Sequence, residues 1–479
     1  MTVLEAIKAK VIPSILPTKE EDQKINQIIN SLKQNLQIFA EKLDISPNFI
    51  QNHGSTGMKQ THLRGTSDLD IFIGLNPSDY ATIIELPAKK RKNALKVLFL
   101  SYVNDWFIPA TQSAGFTDFK ISYAEHPYLL ISHENYEIDV VGCFDLEYDF
   151  LLKQGPITAV DRTPWHSKIV AEKLDKKQKN DVRLLKAFLQ NNFVYGDKNT
   201  LGRFGFTGFS AEVLILHFKT LEEVFSKFEG LTSAPLDFFN RSAGILRKNQ
   251  RFQNDFLIVI DPVDKNRNLA ASISQRAYKF ALYQIKQFLK SPNIEFFNKP
   301  PLTPLDSELI NKVLPNHVVV EFTSDGTVHY TELRDKLYST CEKLRKLLEN
   351  ETTGEERFGT TLFEVFFEDT TFVAVFYCDK KLLSTTYLRK GPPKNRPDNI
   401  KQFRKKHPTA FYKDGLYYVS VERTFREPIP LIKHFLQNSK QIKGLTLTNV
   451  SQKGTTSAAE RALSLMLSCV LPLYGVINP

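Results

Sequence analysis

At Ile25, Ile28, Ile29, Leu32, Leu36, Phe39 and Leu43 the apolar positions recur every three or four residues, the period of a helix packed on one side. The period then shortens to two. In "DLDIFIGL", Asp68 to Leu75, Leu69, Ile71 and Ile73 fall on one face and the aspartates on the other, as a strand requires. A basic helix ("KKRKNALKVLFLSYVNDWF") and further strands, including "NYEIDVVGCF", carry this α/β unit to about residue 150. From about 160 to 290 the pattern is mainly helical. Val182, Leu185, Phe188 and Leu189 share one helical face, with Gly196 as the expected stop, and "FGFTGFSAEVLILHF" predicts another buried helix after Ser210. "SPNIEFFNKPPLTPL", residues 291–305, is rich in Pro and polar residues and reads as a boundary. Beyond it "HVVVEFT", the helix "YTELRDKLYSTCEKLRKLLEN", "LFEVFFE" and "TFVAVFYC" predict a small α+β module, followed by a basic, mixed part.

A chain of 479 residues is too long for one compact core, so two to four domains are expected. The pattern divides it into 1–152, 153–290 and 291–479, an α+β multidomain class. The 42% hydrophobic content argues against a largely disordered chain, and the net charge of +10 suits a polyanionic partner. Cys143, Cys341, Cys378 and Cys469 are scattered, which excludes a zinc ribbon and argues against a disulfide scaffold; a reducing, cytoplasmic setting is expected. The N-terminus meets lysine too early for a signal peptide, and apolar Ala462 to Tyr474 is too short to span a bilayer, so no membrane partner is expected. The last helices could mediate a homodimer or close a domain.

The candidate chemistry starts at Asp68 and Asp70, two acids set on one face of an otherwise apolar strand. Such carboxylates repel unless a cation joins them, and hard oxygen ligands favour Mg²⁺. Asp139 in "EIDVVG" is a third acid between β-branched residues, on what reads as a neighbouring strand. Three such acids can hold two Mg²⁺ ions, one activating an attacking hydroxyl and the other neutralising a triphosphate and its leaving group. The plain alternative is an Asp-x-Asp pair that only borders a strand. Gly54-Ser55 lies upstream, and a Gly-Ser turn entering a helix would offer N–H groups and a hydroxyl to phosphate oxygens.

This segment resembles the "GS…(D/E)xD" motif of the nucleotidyltransferase superfamily that includes DNA polymerase β and poly(A) polymerases. "YAEHPYL", "EIDVVGCF", "AVDRTPWH", "DVRLLKAFL", "VYG", "GFTGFSAEVL" and "DPVDKNRNLAASIS" then follow in one order, dense from about 50 to 275. The set closely resembles archaeal, class I CCA-adding enzymes. The resemblance implies a polymerase β-like catalytic head (1–152), a helical neck with nucleotide contacts (153–290) and a tRNA-binding body and tail (291–479). It implies addition of C, C and A to tRNA from CTP and ATP with Mg²⁺. Asp68, Asp70 and Asp139 match the metal-binding carboxylates. Ser55 and Lys59 match residues holding the triphosphate, although the turn between them is one residue longer than the family pattern. His166, Lys186 and Tyr195 match further nucleotide contacts; on one continuous helix Lys186 and Tyr195 would take nearly opposite bearings.

Cytosine and adenine share an exocyclic amino donor beside a ring-nitrogen acceptor, while uracil and guanine present the reverse. A glutamate accepting from the amino group and an arginine donating to acceptors admit the first two and leave buried groups unpaired for the others. The resemblance gives these roles to Glu125 and Arg267. Their plain alternatives are a loop carboxylate bonding its own backbone and a helix-start ion pair with Asp264. The basic run Arg389 to Lys406 lies in the part resembling the tRNA-cradling region. Lys401, Arg404 and Lys405 are the candidate phosphate contacts to the acceptor arm. The competing readings are a poly(A)- or oligoadenylate-type transferase sharing the head, and an inactive RNA-binding scaffold.

Overall fold

The computed structural model describes residues 3–66, 68–123, 125–198, 200–298, 308, 311 and 313–477. The Pro-rich boundary at 291–305 therefore lies outside the described residues from 299 onward. Contacts group the chain into two units, one of Met1–Tyr195, Phe206–Ile273 and Gln284–Lys299, the other of Gly196–Gly205, Ser274–Tyr283 and Pro300–Pro479.

The first unit holds a five-stranded sheet of β1 (Phe49–His53), β2 (Asp68–Leu75), β3 (Phe119–Tyr123), β4 (Pro127–His133) and β5 (Tyr136–Phe144), in the order β1-β2-β5-β4-β3. Only β2 and β5 run parallel. The period-2 reading of β2 holds: Leu69, Ile71 and Ile73 join Ile138 and Val140 in one core, while Phe72 belongs to a separate cluster with Val141 and Cys143. The core face is covered by helix Lys19–Lys42, through Ile25, Ile28, Ile29, Leu32 and Leu36, and by Phe99, Trp106 and Phe107. That helix starts where Thr18 and Glu21 form a capping box, satisfying two amides that would otherwise lack partners. Leu43 lies just past its end and is exposed.

The mainly helical stretch contains helices Thr163–Lys173, Lys176–Asn191, Gly208–Phe218 and Gln275–Lys290. Val182, Leu185, Phe188 and Leu189 are all buried. The expected stop at Gly196 is too late: the helix ends at Asn191, because Phe193 adopts φ 57°, outside the helical region. The next helix begins at Gly208, ahead of Ser210, because the Thr207 hydroxyl accepts the Ser210 N–H at 3.1 Å. A short hairpin, β6 (Ile260–Asp261) and β7 (Asp264–Asn268), interrupts the helical pattern where none was expected.

The second unit contains a four-stranded antiparallel sheet of β8 (His317–Ser324), β9 (Thr361–Glu368), β10 (Thr371–Cys378) and β14 (Leu445–Ser451), ordered β14-β8-β10-β9. Helix Tyr330–Glu349 packs on it through Leu333, Leu337, Cys341, Leu344 and Leu348, as the strand-helix-strand-strand pattern predicts. A smaller sheet, β11 (Thr386–Pro393), β13 (Leu416–Glu422) and β12 (Phe411–Lys413), carries helix Pro397–Lys406 between its strands in sequence. The apolar C-terminal segment is buried on this unit through Ala462, Leu465, Met466, Val470 and Leu471, against β9 and β10. Cys143, Cys341, Cys378 and Cys469 are free and buried. Among the described residues no helix is long and apolar enough to cross a membrane.

Candidate active site

β2 and β5 form a parallel ladder in which Asp70 is the partner of Asp139, and Asp68 of Glu137. Partners in a ladder point to the same face, and Asp68 and Asp70 are two apart, so Asp68, Asp70 and Asp139 share the face opposite the helix-covered core. Burial raises the carboxyl of Asp139 to about 7, helped by the charges of Asp70, Asp68 and Glu137. Asp70 is raised as well, by burial and by Asp68, against a downward pull from Lys59. Crowding that raises neighbouring carboxyls is what a shared cation relieves, and an all-oxygen donor set suits Mg²⁺. Among the described residues no three ligands close into a preformed cage. Mg²⁺ generally takes one or two carboxylates and completes its shell with water and substrate phosphates.

Gly54 adopts φ 67°, and a Cβ placed there would come within 2.0 Å of Asp70 Oδ2. Only glycine permits both the left-handed backbone and this approach of main chain to carboxylate. The expected helix after Ser55 does not form. Residues 54–59 are a turn that doubles back on β1, with the Gly57 N–H donating to His53 O at 3.1 Å and Met58 N–H to Asn52 O at 3.2 Å. Gly57 lies so close to β1 that a Cβ would meet Asn52 O at 2.2 Å. A helix dipole therefore has no part here, and the Gly57 and Met58 amides are already taken by β1.

The longer turn points Lys59 inward. Its ammonium donates to Glu212 Oε2 at 2.9 Å and lies 4.7 Å from the Phe209 ring centre. Lys186 donates to Glu212 Oε1 at 2.9 Å and to Thr61 O at 3.1 Å, and Thr61 Oγ1 donates to Glu212 Oε1 at 2.6 Å. Lys186, Lys59 and Thr61, which the Glu212 carboxylate joins, overcome the cost of its burial and hold it down to about 2. Arg183, one turn before Lys186, pins the same strip through His62 O at 2.9 Å and Gln60 O at 2.6 Å. Lys186 and Tyr195 do converge. The helix ends before Tyr195, and a Cβ on Gly208 would lie 3.0 Å from Tyr195 Oη and 3.5 Å from Lys186 Nζ.

A second buried carboxylate, Asp261, organises two further candidate nucleotide contacts. His166 Nε2 lies 2.9 Å from Asp261 Oδ2, and Arg267 Nη1 donates to that oxygen at 2.9 Å. These partners and the Val263 N–H hold Asp261 down to about 2 despite burial. Arg267 sits on β7, so the helix-start pair with Asp264 is not formed; Arg162 takes Asp264 at 3.0 Å. The His166 ring lies against Phe209, centres 4.0 Å apart, and Phe209 thus touches both His166 and Lys59. The exposed Glu125 accepts from the Ala159 N–H, across the chain and not from its own loop. Arg162 also donates to Ala159 O at 3.2 Å, which links Glu125 to the hairpin bearing Arg267 without a direct pair. Lys401, Arg404 and Lys405 are exposed on helix Pro397–Lys406 of the second unit, at spacings that put them on one helical face.

Glu212, Asp261 and Phe209 were not singled out from the sequence, although each lies inside a motif quoted above. The signal was there for Glu212: an acid inside the apolar run "FSAEVLILHF" is as costly to bury as the aspartates of β2.

Comparisons with known proteins bear on the family of the chain. The family model for the tRNA nucleotidyltransferase second domain matches residues 180–298, and that for the CCA-adding enzyme C-terminal domain matches 317–454. The CCA-adding enzyme of Methanocaldococcus jannaschii is 28% identical over 453 residues, 91% of this chain and 92% of that protein. The CCA-adding enzyme of Sulfurisphaera tokodaii is 30% identical over 351 residues, 72% of each. Among solved structures, Escherichia coli MS115-1 CdnC with ATP has a TM-score of 0.42 at 17% identity, over 61% of this chain and 94% of that one. The family models fall on the helical stretch and on the second unit, and the two relatives cover 91% and 72% of the chain, so the chain belongs to the CCA-adding enzyme family.

Proposed function

We propose that the chain adds C, C and A to the 3′ end of tRNA from CTP and ATP, without a nucleic-acid template and with release of pyrophosphate. The observation that carries this reading is the Asp70–Asp139 pairing, with Asp68 on the same face and Gly54 against the Asp70 carboxylate. Asp68, Asp70 and Asp139 would hold two Mg²⁺ ions, which supply an activated 3′-hydroxyl and neutralise the triphosphate when bound. Ser55, Lys59 and Lys186 hold the triphosphate, and a fixed ammonium there stabilises charge on the departing pyrophosphate without reorganising. Tyr195 and His166 complete the nucleotide contacts. Arg267 reads the base acceptors and Glu125 the amino group, so C and A are accepted by one pocket.

The assignment of 1–152 as catalytic head, 153–290 as neck and 291–479 as body and tail follows from the same reading. The acceptor arm is then held by phosphate contacts that include Lys401, Arg404 and Lys405. The free, buried cysteines favour a cytoplasmic setting. The test is incubation with Mg²⁺, tRNA lacking its terminal CCA, and CTP and ATP singly or together. Two C followed by one A is the expected product. Unlimited A from ATP alone supports a poly(A)-type transferase, and no incorporation supports an inactive scaffold.

A further inference from the structure

We propose that Glu212 is a positioning residue for nucleotide binding: its one buried carboxylate aims the ammonium groups of Lys59 and Lys186 toward the triphosphate. The inference rests on the reading that these two lysines hold the triphosphate. Lys59 comes from the turn after β1 and Lys186 from helix Lys176–Asn191, two elements far apart in the chain. Glu212 is the atom-level junction between them, with one oxygen on each ammonium at 2.9 Å and Thr61 on the oxygen shared with Lys186.

Stability is a poor explanation for this cluster. Glu212 is 1% exposed and Lys186 2%, and well-packed apolar residues commonly replace buried ion clusters at no cost to stability. The cluster is also unbalanced: two lysines face one glutamate, which leaves a positive charge uncompensated within it. That excess lies within electrostatic reach of the acids on β2. The Lys59 charge bears on the Asp70 carboxyl, and the charges of Glu212 and Asp68 both bear on the Tyr195 hydroxyl. An anionic ligand supplies the missing negative charge. Lys59 has three protons and gives Glu212 one, so donors remain for phosphate oxygens, whereas Lys186 gives its three to Glu212 Oε1, Thr61 O and Thr61 Oγ1 and acts on the triphosphate through its charge.

The test compares Glu212→Gln, Lys59→Met and Lys186→Met in steady-state addition to tRNA lacking CCA. KM is measured for CTP, ATP and tRNA, and thermal midpoints are recorded in parallel. Glu212→Gln is expected to raise the nucleotide KM about tenfold, the scale of one charged hydrogen bond, with the tRNA KM unchanged. A purely structural glutamate would lower the midpoint and the active fraction but leave the nucleotide KM of the folded enzyme where it was. Raised KM in the lysine variants with a wild-type value in Glu212→Gln overturns the positioning role and leaves the lysine reading standing. Wild-type KM in both lysine variants removes that reading and the positioning role with it. Should Glu212→Gln not fold, Glu212→Asp keeps the charge but is one methylene short of spanning both ammoniums. A nucleotide KM raised about threefold or more then supports the role, and a wild-type value overturns it.

Discussion

Asp70 and Asp139 are direct partners in a parallel ladder, 69 residues apart in sequence and adjacent on one face of the sheet. The pairing places Asp70 where its charge adds to burial in raising the Asp139 carboxyl, with Asp68 two residues along and Gly54 against Asp70 Oδ2. Apolar side chains anchor both strands from the opposite face, so the carboxylates cannot drift apart to relieve their repulsion.

Asp68→Ala and Asp70→Ala are each expected to abolish nucleotide transfer, by about a thousandfold or more, because each removes a ligand of the ions that activate and neutralise. Asp139→Ala is expected to lose much of the rate for the same reason. Binding of tRNA should be largely intact in all three. Turnover and tRNA affinity measured on one preparation check this, and wild-type turnover in Asp68→Ala or Asp70→Ala refutes the metal assignment.

Gly54→Ala tests the approach of main chain to carboxylate. A left-handed backbone at 67° costs a residue with a Cβ about 1–2 kcal/mol, and the new methyl would also displace Asp70 Oδ2. Transfer should fall steeply with only a modest drop in thermal midpoint. A variant as active as the parent would show that the Asp70 carboxylate has room to move.

The depressed carboxyl of Glu212 makes stability depend on acid. Its folded value of about 2 lies below the ordinary 4.5, so its contribution is fully present above about 4.5 and is lost as pH falls toward 2. Urea unfolding from pH 7 to pH 3 should show the stability gap between the parent and Glu212→Gln shrinking as pH falls. A constant gap would mean that Glu212 titrates normally in the folded chain.

Charge reversal at Lys401, Arg404 and Lys405 is expected to weaken tRNA binding and flatten its salt dependence. Each lost phosphate contact lowers the slope of log affinity against log salt by somewhat under one. Titrations between 50 and 200 mM salt, roughly the range where such contacts dominate, check this. An unchanged slope removes helix Pro397–Lys406 from the RNA interface.

Local order along the chain was legible wherever a period and its chemistry agreed. Strand β2 runs over the eight residues read as alternating, and the helix on Ile25 to Leu36 buries the predicted face, because both depend only on which side of an element is apolar. The acids were legible for the same reason: no apolar strand tolerates them without a partner. Interruptions were not. The hairpin bearing Arg267, the early end of the helix after Lys186 and the turn in place of a helix at Ser55 depend on backbone reversals that residue types only permit.

Which groups meet was decided by tertiary structure alone. The sequence by itself marked Asp68, Asp70 and Asp139 as candidates through their setting in apolar strands, and Lys59, Lys186, His166 and Arg267 through the family resemblance. It held no sign that Glu212 would join the two lysines, or that Asp261 would hold His166 and Arg267. A period reports the face of one element, whereas a buried ion pair needs two elements brought within about 3 Å, and only the packing of the whole unit fixes that distance.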